Sequence, residues 1–424
     1  MRKTSALPDF HLLPLTERRA LLANWGLSPA DLEALGKHGA LDLETAGRMI
    51  ENVVGTLQLP LGIATNFLIN GREMLVPMAL EEPSVIAAAS HAAKLCRPSG
   101  FRASADQPLM IGQVQLVRVP DPGKAQQAIL GRKEEALSLA NRPDSTLVQH
   151  GGGLKDIETR LLQSPRGPML VVHMLIDTRD AMGANAVNTI AERLSPLLEE
   201  ASGGKARLRI LSNLADRRLA RAEAVWTYQA LEESLPGLRG EEIVDAILDA
   251  YAFAQADRYR AATHNKGIMN GIDAVALATG NDFRALEAGA HTYAQGRPLT
   301  HYEKVQEGLR GSIELPLAVG ILGGSIKTNP IPQISLKLLG IRSASELAEA
   351  MACVGLANNL AALRALATEG IQEGHLKLHA KNIALAAGAQ GKDIEAVSQR
   401  MTAENAVSSS RASQILAELR QKDK

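Results

Sequence analysis

Aromatic residues are scarce in this chain: Phe, Trp and Tyr together make up 3% of 424 residues. The interior must therefore be filled by Ala, Leu, Val, Ile and Met, which are plentiful enough for a large core. Cysteine is nearly absent as well, with only Cys96 and Cys353. Two thiols in so long a chain exclude a disulfide framework, and their Ala/Leu-rich surroundings make them small buried apolar residues rather than reactive groups. Neither sign of charge is in excess, 46 basic against 46 acidic residues, which excludes a basic field for nucleic acid and an acidic tail. No stretch approaches the ~20 apolar residues of a membrane span. Residues 1–14 lack the apolar centre of a signal peptide. A cytoplasmic protein with no nucleic-acid or membrane partner is expected. Neither G-x-G-x-x-G nor G-x-x-x-x-G-K-[ST] occurs, so a bound dinucleotide would need a different loop.

What is present suggests two or three domains. Leu and Ala recur at helical spacing over residues 15–50, and Ser28-Pro29 in "LSPADLEAL" reads as a cap with proline at the first helical position. Ser84 is placed to cap a helix of small residues running to about Leu95. From about 108 to 215 the patterns alternate: a strand "LMIGQVQLVRV", an amphipathic helix "PGKAQQAILGRKEEALSLANR", strand pieces "STLVQH" and "LKDIETRLL" around Gly151-Gly152-Gly153, a buried strand "GPMLVVHMLID", a helix from "AMGAN", and a closing strand "ARLRILSNL". That order is the split βαβ, ferredoxin-like arrangement (βαββαβ). The remainder reads as mainly helical: a long helix from Gly240 broken at Lys266-Gly267, a strand-like "GSIELPLAVGILGG", a long helix ended by Gly370, and three short helices in residues 374–424 with a break at "GAQGKD".

Several clusters could carry chemistry. "DAMGAN", residues Asp180, Ala181, Met182, Gly183, Ala184 and Asn185, joins a buried strand to a helix start. Gly183 would let a phosphate approach the backbone, and the helix N-terminus would favour a pyrophosphate. A tight turn with an Asp cap is the plainer reading. Asp144 in "NRPDS" could accept hydrogen bonds from an adenosine ribose and repel a 2′-phosphate, or be a turn residue. Glu81 and Glu82 precede a helix, which suits its dipole; either could also serve as an acid if buried or set beside another anion. Lys266, among His264, Asn265 and Asn270, could stabilise an oxyanion. Asp282 in "ATGND" could be only a cap. His375 and His379 are four apart, yet H-E-x-x-H is not formed and no third ligand suggests itself, so a proton donor is better motivated than a metal ligand.

Taken in order, "ENVVGT", "LEEPSVIAAAS", "DAMGAN", "ILSNLAD", "YRAATHNKGIMNGID", "ATGND", "GGSIKT", "ALATEGIQEGH" and "LHAKNIALAAGA" resemble the 3-hydroxy-3-methylglutaryl-CoA (HMG-CoA) reductases of the soluble bacterial class, from about residue 51 to 390. The resemblance implies an α+β fold: a large, mainly helical domain (1–107 and 216–373) interrupted by a ferredoxin-like cofactor domain (108–215), with a mobile C-terminal helical flap (374–424). It implies Glu82, Lys266, Asp282 and His375 as catalytic residues, His375 protonating the departing CoA thiolate from the flap. Glu82 must be protonated to serve as the acid. Asp282 is expected to link Glu82 and Lys266. "DAMGAN" becomes the nicotinamide-dinucleotide motif, and Asp144 the residue associated with NAD(H). Ser84, Asn213, Arg260 and Asn270 are implied in holding the substrate. Glu51 and Asn52 belong to a strip that crosses a homodimer interface into the partner's site; some relatives assemble further, to hexamers. The implied reaction interconverts HMG-CoA and mevalonate with coenzyme A as co-substrate and no metal. The alternatives are NADP(H) in the same reaction, or an inactive helical scaffold.

Overall fold

The computed structural model describes residues 3–37, 41–368, 380–404 and 406–422. Three sheets organise it. A hairpin pairs β1 (Leu61–Ile69) with β2 (Arg72–Ala79). A four-stranded antiparallel sheet has the order β3 (Arg102–Ala105), β8 (Leu219–Thr227), β10 (Gly308–Pro316), β9 (Thr300–Val305). The third sheet runs β5 (Gly153–Ser164), β6 (Gly167–Asp177), β4 (Leu109–Val117), β7 (Lys205–Leu211), all neighbours antiparallel. Numbered within the unit, that order is 2-3-1-4, the ferredoxin-like topology, with helices Pro122–Gly131, Lys133–Ala140 and Ala184–Ser202 supplying its two helical connections.

The third sheet has its own core, and the other two sheets share a larger one. The third sheet and its helices bury Met110, Val114, Leu170, Val172, Met174, Ile176, Val187 and Leu194 with no aromatic ring among them. The larger core concentrates the few aromatics: Phe67 stacks on Phe101 at 5.6 Å, and Trp226 meets Phe101 edge-on at 6.2 Å. Through that core runs the helix Ala344–Ala367, started by Ser343, whose hydroxyl accepts the Glu346 N–H at 3.1 Å. This helix corrects the expectation that no segment could span a membrane. By length and composition it could, at a mean hydropathy of 1.4, but 67% of that stretch is buried inside the fold, as a core helix.

Other local expectations also shift. The Ser28 capping box forms with Asp31 and Pro29 at the first helical position. "STLVQH" is not a strand: Thr146–Gln149 makes one helical turn, and β5 begins only at Gly153. The expected break at Lys266-Gly267 lies instead at Asp257. There the Gly240–Ala256 helix ends, and the Asp257 carboxylate accepts the Arg260 N–H at 2.9 Å to start Arg258–Ala278. Gly267 is accommodated inside that continuous helix. The amphipathic stretch after β4 is two helices, parted at Arg132. Gly370 lies outside the described residues. The tail contains helices Lys392–Ala403 and Ser409–Lys422 over a small apolar core of its own.

Candidate active site

Glu82 sits on the short connection from β2 to the helix Val85–Leu95. Ser84 has φ 77°, a left-handed conformation uncommon for a non-glycine residue, and its hydroxyl does not cap the helix as expected. That turn aims Glu82 at the Arg258–Ala278 helix, where Lys266 Nζ donates to Glu82 Oε2 at 3.1 Å. Both side chains are open to solvent, 58% for Lys266 and 39% for Glu82, so incoming substrate can reach the pair. Asn270 lies one turn beyond Lys266, on the same helix face. His264 and Asn265, just before Lys266, are buried. Burial, and then the charge of Arg260, holds His264 down to about 4, so it is neutral at working pH.

The "DAMGAN" segment forms a second corner. Gly183, at φ 101°, is the N-cap of Ala184–Ser202; Asp180 is not. A Cβ on Gly183 would lie 2.3 Å from Thr178 Cγ2, so both conformation and space require glycine. Among the described residues no side chain caps this helix's first turn, so its N–H groups are open to an outside acceptor. The Asp180 carboxylate accepts the Ala344 N–H at 2.8 Å, and its carbonyl accepts the Ile321 N–H at 2.9 Å. Beneath the loop lies Arg218, 5% exposed. Its guanidinium donates to Thr178 Oγ1 at 3.1 Å and to the carbonyls of Ala181, Met182 and Val319. Burial lowers Arg218 to about 10 despite the opposing pull of Asp177 and Asp180. Nothing in the sequence reading singled out Arg218; its only signal was a basic residue inside "ILSNLADRRL" beside a buried strand.

Asp144 is exposed on the turn that leads toward β5. Gly153 pairs with Asp177, and Arg179 Nη2 donates to the Gly151 carbonyl at 2.9 Å. The loop carrying Asp144 and the "DAMGAN" loop are thus at the same end of the sheet. Asn213, exposed after β7, has its carbonyl against the Phe283–Ala294 helix, where a Cβ on Gly289 would come within 2.6 Å.

Asp282 departs from expectation. Its carboxylate caps Phe283–Ala294, accepting the N–H groups of Arg284 and Ala285 at 3.1 and 3.2 Å and Arg284 Nε at 3.2 Å. It does not bridge Glu82 and Lys266 within one chain, because unbroken helix from Lys266 to Ala278, about 18 Å at 1.5 Å per residue, intervenes. The preceding Asn281 is instead tied to Gly320 by reciprocal bonds of 2.8 and 3.1 Å, and Gly320 abuts the Met182 N–H. Asp282 therefore belongs to the "DAMGAN" corner. Arg260, half-buried at the other end of the helix, and the exposed Glu51 and Asn52 are not brought onto the Glu82–Lys266 pair by any hydrogen bond. His375 lies outside the described residues. A separate cavity of about 780 Å³, lined by Arg102, Arg221, Tyr251, Tyr293, Arg297 and His301 among others, opens on the β3–β8–β10–β9 sheet and includes neither Glu82 nor Lys266.

One acidic cluster went unread. Asp273, seven residues after Lys266, faces Glu287 of the neighbouring helix. Burial and then the Glu287 carboxylate push it up to about 8. Glu287 in turn pairs with His291 at 2.7 Å.

A ferredoxin-like unit is thus inserted in a mainly helical body, with a glycine-led helix N-terminus on the first and a carboxylate–lysine pair on the second. Residues 14–380 match the model of the hydroxymethylglutaryl-coenzyme A reductase family, and the chain belongs to that family. It is 51% identical to the 3-hydroxy-3-methylglutaryl-coenzyme A reductase of Archaeoglobus fulgidus, over 98% of this chain and 95% of that one. It is 39% identical to a probable reductase of the same name from Borreliella burgdorferi, over 79% and 77%. Its structure is similar to that of the Streptococcus pneumoniae reductase, with a TM-score of 0.82 and 42% identity over 97% and 99% of the two chains. The class II enzyme of that organism, bound to NADPH in open conformations, superposes with a TM-score of 0.81 and 44% identity over 85% and 99%.

Proposed function

We propose that this chain interconverts HMG-CoA and mevalonate plus coenzyme A through mevaldehyde, using NAD(H). The observation that carries the reading is the solvent-open Glu82–Lys266 pair at 3.1 Å, set on the scaffold of this family. Reducing a thioester to an alcohol takes two hydrides, which two nicotinamide molecules supply in turn. The uncapped first turn at Gly183 fits the anionic pyrophosphate of such a molecule. Lys266 supplies positive charge to the oxyanion formed at the thioester carbonyl. Glu82 hands a proton to the oxygen that becomes the new hydroxyl, and His375 is assigned the proton for the departing thiolate. Ser84, Asn270, Arg260 and Asn213 are proposed to hold the substrate.

The active form is proposed to be a homodimer with shared sites. Two features support this. Asp282 is held away from Lys266 of its own chain, so a second copy can supply it. The strip around Glu51 and Asn52 also exposes Val54 and Leu57 almost fully and Ile50 by about two thirds, surface that a partner would cover. Asp144 supports NAD(H), since its exposed carboxylate would repel a 2′-phosphate. NADP(H) is the second reading, favoured by the NADPH-bound relative. An assay at 340 nm with mevalonate, CoA and either NAD⁺ or NADP⁺ tests both. A rise with NAD⁺ that needs mevalonate and CoA together supports the proposal. A rise with NADP⁺ alone keeps the reaction and removes the role given to Asp144; no rise with either coenzyme, and no fall when NADH or NADPH is supplied with HMG-CoA, removes the reaction.

A further inference from the structure

We infer that Asn358 and Asn359, adjacent in the buried Ala344–Ala367 helix, are positioning residues that fix the separation of Glu82 and Lys266 from both sides. The inference rests on reading those two side chains as the catalytic pair. Glu82 and Lys266 are exposed and are joined by one ion pair, and an exposed pair of that kind contributes little to holding its own geometry. The backbone must do so. Asn358 Nδ2 donates to the Val85 carbonyl at 3.0 Å, three residues after Glu82 and immediately after the left-handed Ser84. Asn359 Nδ2 donates to the His264 carbonyl at 3.2 Å, two residues before Lys266. One turn of one helix thus grips both backbones.

The grip is itself braced. Asn359 Oδ1 accepts from the hydroxyls of Thr300 and Tyr302 at 3.0 and 2.9 Å, and Thr300 Oγ1 meets His264 Nε2 at 2.6 Å. Asn265 exchanges bonds with the Arg297 carbonyl and the Leu299 N–H at 2.8 and 3.0 Å. Gly271 lets the Lys266 helix close on Asn358, since a Cβ there would fall 2.3 Å from Asn358 Oδ1. Asn358 and Asn359 are 5% and 1% exposed in a helix whose other buried residues are Ala, Leu, Met, Val, Cys and Gly. Burying carboxamides there costs free energy that Leu or Met would not incur, and networks of this kind specify geometry.

The test uses Asn358→Asp and Asn359→Asp, which keep shape and remove the amide donor. Thr300→Val and Thr300→Ser are the milder pair, the first deleting the bracing hydroxyl and the second keeping it. Lys266 acetylation by acetic anhydride is followed by peptide mass spectrometry relative to Lys337, with Glu82→Gln marking the rate of an unpaired Lys266. Steady-state kinetics run alongside. We expect Lys266 to label several-fold faster in the Asp variants and in Thr300→Val, approaching the Glu82→Gln rate, with Thr300→Ser near wild type. The turnover number should fall about 10- to 100-fold while KM for HMG-CoA stays within about twofold, as for misplaced catalytic groups. Wild-type labelling and turnover in folded variants would overturn the inference. If either Asp variant fails to fold, the Thr300 pair decides. If the wild type does not reduce HMG-CoA, the functional reading fails, while the labelling rates still decide whether the two asparagines hold the pair.

Discussion

The two corners along the Lys266 helix are built on opposite plans. At Glu82 and Lys266 the working groups are exposed side chains, and what fixes them is a polar network buried in the larger core. At Gly183 the available groups are backbone N–H donors, and what fixes them is the buried Arg218 under the loop, with Asp180 and Gly320 pinning its ends. The difference follows from the chemistry each corner suits. An oxyanion that exists only during reaction calls for a full, localised charge on a side chain. A permanently anionic pyrophosphate is met by a row of backbone dipoles, where a side chain would only obstruct its approach.

The sharpest way to break this comparison is at Lys266. Lys266→Ala should lower the turnover number by about 10²- to 10³-fold, the usual cost of removing an oxyanion-stabilising donor, with nicotinamide binding followed by fluorescence unchanged. Loss of cofactor binding in that variant would show that the corners are not separate. The converse is Arg218→Met. It strands the Thr178 hydroxyl and the carbonyls of Ala181, Met182 and Val319, and removes a buried positive charge near Asp177 and Asp180. It should destabilise the fold by about 3 kcal/mol in urea unfolding, as for a broken buried charge network, and raise the KM for nicotinamide more than that for HMG-CoA. Equal rises in both would assign Arg218 to general stability alone.

A smaller effect is expected at the rim of the Gly183 corner. Asp144→Ser should shift the ratio of kcat/KM for NAD⁺ over NADP⁺ toward NADP⁺ by about fivefold, the scale of one exposed charge interaction; an unchanged ratio places cofactor choice elsewhere. A further test concerns the helix between the corners. Asp273 keeps its proton in the folded chain up to about pH 8, whereas the unfolded chain releases it near the ordinary aspartate value. The folded state therefore binds the extra proton between those limits, and stability declines as pH rises through that window. Asp273→Asn should flatten the thermal midpoint between pH 5 and 9. A slope equal to wild type would mean that Asp273 and Glu287 do not share a proton.

The residue types at both corners were legible in the sequence. Glycine before a helix, lysine beside Asn and Gly, and glutamate ahead of a cap position are local features; Gly183 lies in the turn before its helix as read, whereas Ser84 precedes its helix without capping it. The ferredoxin-like order was legible for the same reason: hydrophobic period switches from 2 to 3.6 within single segments. Short elements were misread where local pattern is ambiguous. Thr146–Gln149 carries two β-branched residues, Thr146 and Val148, yet closes one helical turn, and Gly267 reads as a break although Asp257 supplies the true helix start.

What the sequence by itself determined is the set of segments, their chemistry and the family they compose, because each depends on neighbours a few residues away. Only the tertiary structure decided that Glu82 meets Lys266 within the chain while Asp282 turns to Arg284 and the Gly183 corner, and that Arg218, Asn358 and Asn359 are buried polar groups behind the two corners. Those facts depend on a helix too long for its two ends to meet and on carbonyls brought together from segments far apart in the chain. Neither leaves a periodic trace in the order of residues.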